Sequence, residues 1–82
     1  MNTEQIYSQL TAVFHEVFED QSIVPTPVMT ASDVKEWDSL NHINLIVAIE
    51  VRFKIKFKTA ELESLRNVGH LVEIIQKKLA TP

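Results

Sequence analysis

The sequence predicts an all-α fold: a four-helix bundle of three longer helices and one short one, with a long loop between the first and second. Three observations lead there. Apolar residues recur at three- and four-residue steps through three separate stretches, which is the period of one face of a helix. The 82 residues include one glycine and three prolines among many Leu, Ile, Val, Glu and Lys, so the chain carries few helix breakers. The one short alternating segment has no second strand to pair with, and a lone strand is not stable.

The first helix runs from about Asn2 to Phe18, with Ile6, Leu10, Val13, Phe14, Val17 and Phe18 as its stripe. Asn2 and Gln5 have the spacing of a capping box, Asn standing where Ser or Thr is usual. Between Gln21 and Trp37 the period breaks. Pro25 and Pro27 push the preceding residues to extended geometry, and Thr30, Ser32 and Asp33 suit turns. A loop this long is functional or held by its own side chains, and Val24, Val28, Met29, Val34 and Trp37 are the candidates to pin it.

The second helix is expected from Ser39 to about Phe53. Leu40, Ile43, Val47 and Val51 form one stripe, and Leu45, Ile46, Ile49 and Phe53 widen it to most of the circumference. A helix apolar nearly all round is buried on more than one side, which makes this the expected centre of the bundle. The run Lys54-Ile55-Lys56-Phe57-Lys58 reads as an extended connector with Ile55 or Phe57 turned inward. Thr59 is placed to cap a short third helix holding Leu62 and Leu65. Asn67 is placed to cap the fourth, whose apolar residues are Val68, Leu71, Val72, Ile74, Ile75 and Leu79. Lys77 and Lys78 near its C-terminus suit the helix dipole.

Composition removes several functional classes. Residues 1–82 are expected to form one domain, and a hydrophobic fraction of 45% argues against disorder. With no cysteine there is neither a disulfide framework nor a thiolate metal site, and no other metal-ligand cluster is seen. The first residues are polar and no apolar run approaches a membrane span, so a cytoplasmic protein is expected. A net charge of −3 speaks against nucleic acid as the partner.

The stretch Trp37-Asp38-Ser39-Leu40 carries the chemistry. Asp38 stands where it caps the second helix by accepting from a free backbone N–H, and Ser39 in the first turn holds its hydroxyl at the surface. That presents a nucleophile without activating it, and no G-x-S-x-G elbow surrounds Ser39. His42 lies three residues on, but Asp38 and Ser39 adjacent at one helix start do not put a carboxylate behind an imidazole as a triad needs. Ser39 therefore reads as a residue that another enzyme modifies. Trp37 reads as a loop anchor on the core, and His15 and His70 as surface residues.

The Asp38-Ser39-Leu40 triplet is followed by Ile43, Ile46, Val47, Ala48, Ile49, Glu50 and Phe53 and later by Val68. With the helix order and the length, this resembles the acyl carrier proteins and the wider family of phosphopantetheine-bearing carrier domains, over Ile6 to Leu79. The resemblance implies an acyl-carrier-like bundle and a non-catalytic protein. It implies that a phosphopantetheinyl transferase moves 4′-phosphopantetheine from coenzyme A onto the Ser39 hydroxyl, with Asp38 and Leu40 as flanking recognition residues. Acyl groups then ride as thioesters on the arm, which supplies the thiol that the chain lacks. Acyl-loading and acyl-transferring enzymes are the implied partners of a monomeric carrier.

In the familiar fatty-acid carriers the second helix and the loop after it are strongly acidic. Here Asn41, His42 and Asn44 occupy the early positions, and Glu50 is the only carboxylate between Ser39 and Lys58, against Arg52, Lys54, Lys56 and Lys58. His42, Arg52, Lys54 and Lys56 are thus candidate partner-binding residues of a different sign, since rim charge sets partner choice. These departures point to a specialised carrier for an acyl, polyketide, lipid or surface-polysaccharide pathway. A cleft between the second and third helices is the expected acyl shelter, with Leu40, Ile43, Leu62 and Leu65 as candidate lining. An aminoacyl or peptidyl carrier, an unmodified helical adaptor and a hydrolase built on Ser39 are the alternatives.

Overall fold

The computed structural model of the protein describes residues 1–80. Its α-helices are Thr3–Phe18 (α1), Ser39–Phe53 (α2), Thr59–Glu63 (α3) and Val68–Ala80 (α4), with a 3-10 turn at Ala31–Asp33 in the long loop. No strand is present among the described residues.

Local chemistry starts and stops these helices. Asn2 Oδ1 accepts from the Gln5 N–H and Gln5 Oε1 accepts from the Asn2 N–H, both at 2.9 Å, which completes the capping box of α1. At α4 the Asn67 side chain accepts from the His70 N–H at 2.8 Å. The cap of α3 is Lys58 and not Thr59, which is the first helical residue. Glu61 reaches back to the Lys58 N–H at 2.7 Å and meets Lys78 of α4 at 2.9 Å. Those two partners, the N–H first, hold the Glu61 carboxyl below its usual pKa. Leu65 lies past the end of α3, in the turn toward α4.

The core is built around α1, which packs against both α2 and α4. Ile6, Leu10 and Phe14 of α1, Leu45 and Ile49 of α2, and Val68 and Ile75 of α4 are fully buried. Each such aliphatic or aromatic side chain contributes about 1.5–3 kcal/mol by leaving water. The connector after α2 turns both Ile55 and Phe57 inward, Ile55 buried and Phe57 half-buried. Glu50 Oε2 fixes it by accepting from the Phe57 N–H at 2.9 Å.

Three further expectations fail. The first concerns α2, which is neither central nor buried on two sides. Leu45, Ile46, Ile49 and Phe53 face the core, but Leu40, Ile43, Val47 and Val51 are 52–73% exposed. The cause is the neighbours: α1 covers one face of α2, and a five-residue α3 is too short to roof the other.

The second concerns the long loop. Val24 and Val28 point outward, and it is Ile23 and Val34, with Met29 and Trp37 half-buried, that tie the loop to the core. Its backbone does the rest: the Pro27 and Met29 carbonyls accept from the N–H groups of Gly69 and Val68, each at 2.9 Å. Two otherwise orphan donors of the first turn of α4 are satisfied in this way. Gly69 is needed for it, because a Cβ there would lie 2.9 Å from the Pro27 carbonyl oxygen.

The third concerns His15, which is half-buried, its Nε2 2.7 Å from the Ile23 carbonyl oxygen. His70 is likewise half-buried.

Candidate functional site

The start of α2 gathers the residues that the sequence singles out. Asp38 adopts an extended backbone before the helix, and its carboxylate accepts from the Asn41 N–H at 2.8 Å. The Asn41 side chain in turn donates to the Glu36 carbonyl at 2.8 Å, joining the loop to the first turn. Ser39 is exposed, and its hydroxyl makes no hydrogen bond among the described residues. The backbone N–H groups of Ser39 and Leu40 have no acceptor there either. An exposed hydroxyl beside two free donors at the positive end of a 15-residue helix is a place where a phosphate ester is stabilised once formed.

Nothing among the described residues activates that hydroxyl. The Asp38 carboxylate is engaged as a cap. His42 Nδ1 accepts from the Trp37 indole N–H at 3.0 Å, which places the proton of the neutral ring on Nε2. Trp37 lies beside His42, with ring centroids 6.2 Å apart and planes 20° from parallel. It is anchored from behind by Phe14 and Phe18, at 5.5 and 5.7 Å between centroids. The indole is thus a loop anchor, and it also holds the nearest imidazole.

An open hollow of about 400 Å³ adjoins Ser39, lined by Ala31, Trp37, Asp38, Ser39 and His42. Deeper in lies a cavity of about 100 Å³, between the inner face of α2 and the turn from α3 to α4. Thr30, Ala31, Trp37, His42, Leu45, Ile46, Leu65, Arg66, Asn67 and Leu71 line it. Of the four cleft residues expected from the sequence, Leu65 is in that lining. Leu40 and Ile43 are on the exposed face of α2, and Leu62 is half-buried outside the lining. Leu45, Ile46, Arg66 and Leu71 take their place. Leu45 and Ile46 could have been found from the stripe of α2, once it was known which stripe faces inward. Arg66 left no signal, because it lies in an irregular turn.

The candidate partner-binding residues divide in the same way. Arg52, Lys54 and Lys56 are exposed at the C-terminal end of α2 and in the connector, Arg52 bonded to the Gln9 side chain. His42 is half-buried in the wall between hollow and cavity.

Fold and site together define a small helical carrier scaffold: a bundle that displays an unactivated serine at a helix start, beside a cavity in its own interior. No family model matches the chain. It is 32% identical over 77 residues to an acyl carrier protein of Thermotoga maritima, covering 93% of this chain and 94% of that one. It is 30% identical over 81 residues to an acyl carrier protein of Guillardia theta, covering 98% and 99%. With the meromycolate extension acyl carrier protein of Mycolicibacterium smegmatis it shares 31% identity over 74 residues, 90% of this chain and 75% of that one. The solution structure of the holo acyl carrier protein of Geobacter metallireducens superposes with a TM-score of 0.86 at 51% identity, over 90% of this chain and 85% of that one. The chain belongs to the acyl carrier protein family, whose cofactor is 4′-phosphopantetheine. It is a carrier of acyl groups and not a catalyst. None of its described helices is long and apolar enough to cross a membrane.

Proposed function

We propose that Ser39 is the residue that receives the 4′-phosphopantetheine arm, and that this chain is a monomeric cytoplasmic carrier serving a specialised acyl, polyketide, lipid or surface-polysaccharide pathway. The observation that supports this most is the Ser39 hydroxyl itself, exposed and unbonded at the start of α2. Neither neighbouring base is bonded to it, so a phosphopantetheinyl transferase has to take its proton. What the chain contributes is position: Asp38 fixes the helix start, and the free N–H groups of Ser39 and Leu40 stand at the helix end where the ester would be held. The arm, once attached, supplies the thiol on which acyl groups are held as thioesters.

The specialised role is supported by the surface around the site. The outward stripe Leu40, Ile43, Val47 and Val51 ends in Arg52, Lys54 and Lys56, and the one carboxylate of α2, Glu50, is bonded to the Phe57 N–H. Partner enzymes suited to this face present apolar surface with a carboxylate rim, the reverse of what an acidic helix selects. Among the relatives, one is named for meromycolate extension.

The test is an intact mass after incubation with coenzyme A, Mg²⁺ and a phosphopantetheinyl transferase. The expected result is a gain of one phosphopantetheine in the parent and none in Ser39→Ala. A folded parent that gains nothing from a generic and a cognate transferase is an unmodified adaptor binding through α2. Loading by aminoacyl groups in preference to acyl groups would move it to the aminoacyl and peptidyl carriers.

A further inference from the structure

The hollow beside Ser39 and the interior cavity share three lining residues, Ala31, Trp37 and His42, and no others. A chain that runs from Ser39 directly from the hollow into the cavity passes along them. Of the three, Ala31 has no side chain long enough to block the way. The obstruction is the Trp37–His42 pair, closed by the 3.0 Å hydrogen bond from the indole N–H to His42 Nδ1, with the two ring planes 20° apart. We propose that this pair is a latch, with Trp37 as the fixed jamb and His42 as the moving leaf, and that it sets which acyl chains leave the hollow for the interior. The inference rests on the reading of Ser39 given above.

The roles of the two rings follow from what holds each. Trp37 is braced by Phe14, edge-on at 88°, and by Phe18, so turning it out uncovers the core. The His42 ring projects from the first turn of a helix whose backbone stays in place, and swinging it outward breaks one hydrogen bond. A single hydrogen bond of this kind biases closed over open by roughly 5-fold. That is small enough for a bound chain to overcome when the cavity repays it. The cavity, at about 100 Å³, is smaller than the ~150 Å³ apolar cavity that admits a benzene-sized molecule. A short chain therefore gains little by entering, and a longer one has to displace Leu65 and Leu71 after passing the latch. Chain length and latch strength act in series, which makes His42 a specificity-determining residue and not a reacting one.

The experiment uses full-length protein carrying the arm loaded with an eight-carbon acyl chain, loading confirmed by intact mass, in the parent, His42→Ala and His42→Gln. The methyl signals of Leu45, Ile46, Leu65 and Leu71 are compared before and after loading, and the Trp37 indole N–H signal is followed in each. In the parent, loading is expected to move the Trp37 indole signal and leave the cavity methyls near their unloaded positions. In His42→Ala, which removes the leaf, the cavity methyls are expected to move. In His42→Gln, whose amide oxygen still accepts from the indole N–H, the parent pattern returns. An unloaded amide spectrum confirms the fold of each variant, and His42→Phe, which keeps the bulk without the acceptor, replaces His42→Ala if that variant is unfolded. Cavity methyls that respond identically in parent and acceptor-less variant overturn the latch while leaving the modification of Ser39 intact. An absence of mass gain in the parent overturns the reading of Ser39, and the latch with it.

Discussion

At Asp38 a single side chain performs a task that can be measured apart from any chemistry at Ser39. Its carboxylate satisfies the Asn41 N–H at 2.8 Å, and loss of such a cap costs about 1 kcal/mol. Asp38→Ala is therefore expected to lower unfolding stability by that amount in chemical denaturation, with Asp38→Asn recovering most of it. The cap and the serine were legible because both depend on a few residues around one helix start. His42 was not legible in the same sense. Its position in the sequence suggests a surface residue for partners, whereas its Nδ1 is committed to Trp37 across the loop–helix junction. His15 makes the same point, since its bond to the Ile23 carbonyl spans the end of α1 and the loop beyond.

At the scale of elements, the attachment of the long loop to α4 is the part most exposed to test. Gly69→Ala adds helix propensity worth up to about 1 kcal/mol. The new Cβ meets backbone, 2.9 Å from the Pro27 oxygen and 3.3 Å from the Pro27 Cα, and such overpacking costs about 1–3 kcal/mol. The clash involves backbone, which cannot rotate away, so the net effect is expected to be destabilising. Hydrogen exchange at Val68 and Gly69, whose N–H groups bond to the loop, is expected to accelerate more than exchange in the interior of α1. Faster exchange spread evenly over the bundle, or none, would show that the loop is held by its side chains alone. Helix boundaries read well from caps and period, α1, α2 and α4 beginning where Asn2, Asp38 and Asn67 place them. The cap of α3 moved by one residue because Lys58 can serve through its backbone N–H, which side-chain preference does not reveal.

For the whole molecule, the exposed stripe of α2 raises the question of self-association. Leu40, Ile43, Val47 and Val51 are one helical face of four side chains, and stable interfaces bury at least about 1,000 Å² in total. Pairing two such stripes also brings Arg52 and Lys54 of both copies to the same seam if the helices run parallel. Sedimentation at micromolar concentration is therefore expected to show a monomer, unchanged by Val47→Lys. A dimer dispersed by that substitution would instead assign the stripe to self-pairing.

Helix content, helix order, the capped start of α2 and the exposure of Ser39 could all be read from the order of residues, because hydrogen bonds and periodicity over three to five positions govern them. Both stripes of α2 were equally visible, and nothing local distinguishes Leu45, Ile46, Ile49 and Phe53 from Leu40, Ile43, Val47 and Val51. The choice between them fell to packing. α1 offered one apolar surface to α2, and the stripe that meets it became core while the other was left to solvent. The same holds for the cavity and its latch, which exist only where a loop, a helix and a turn distant in sequence close on one another.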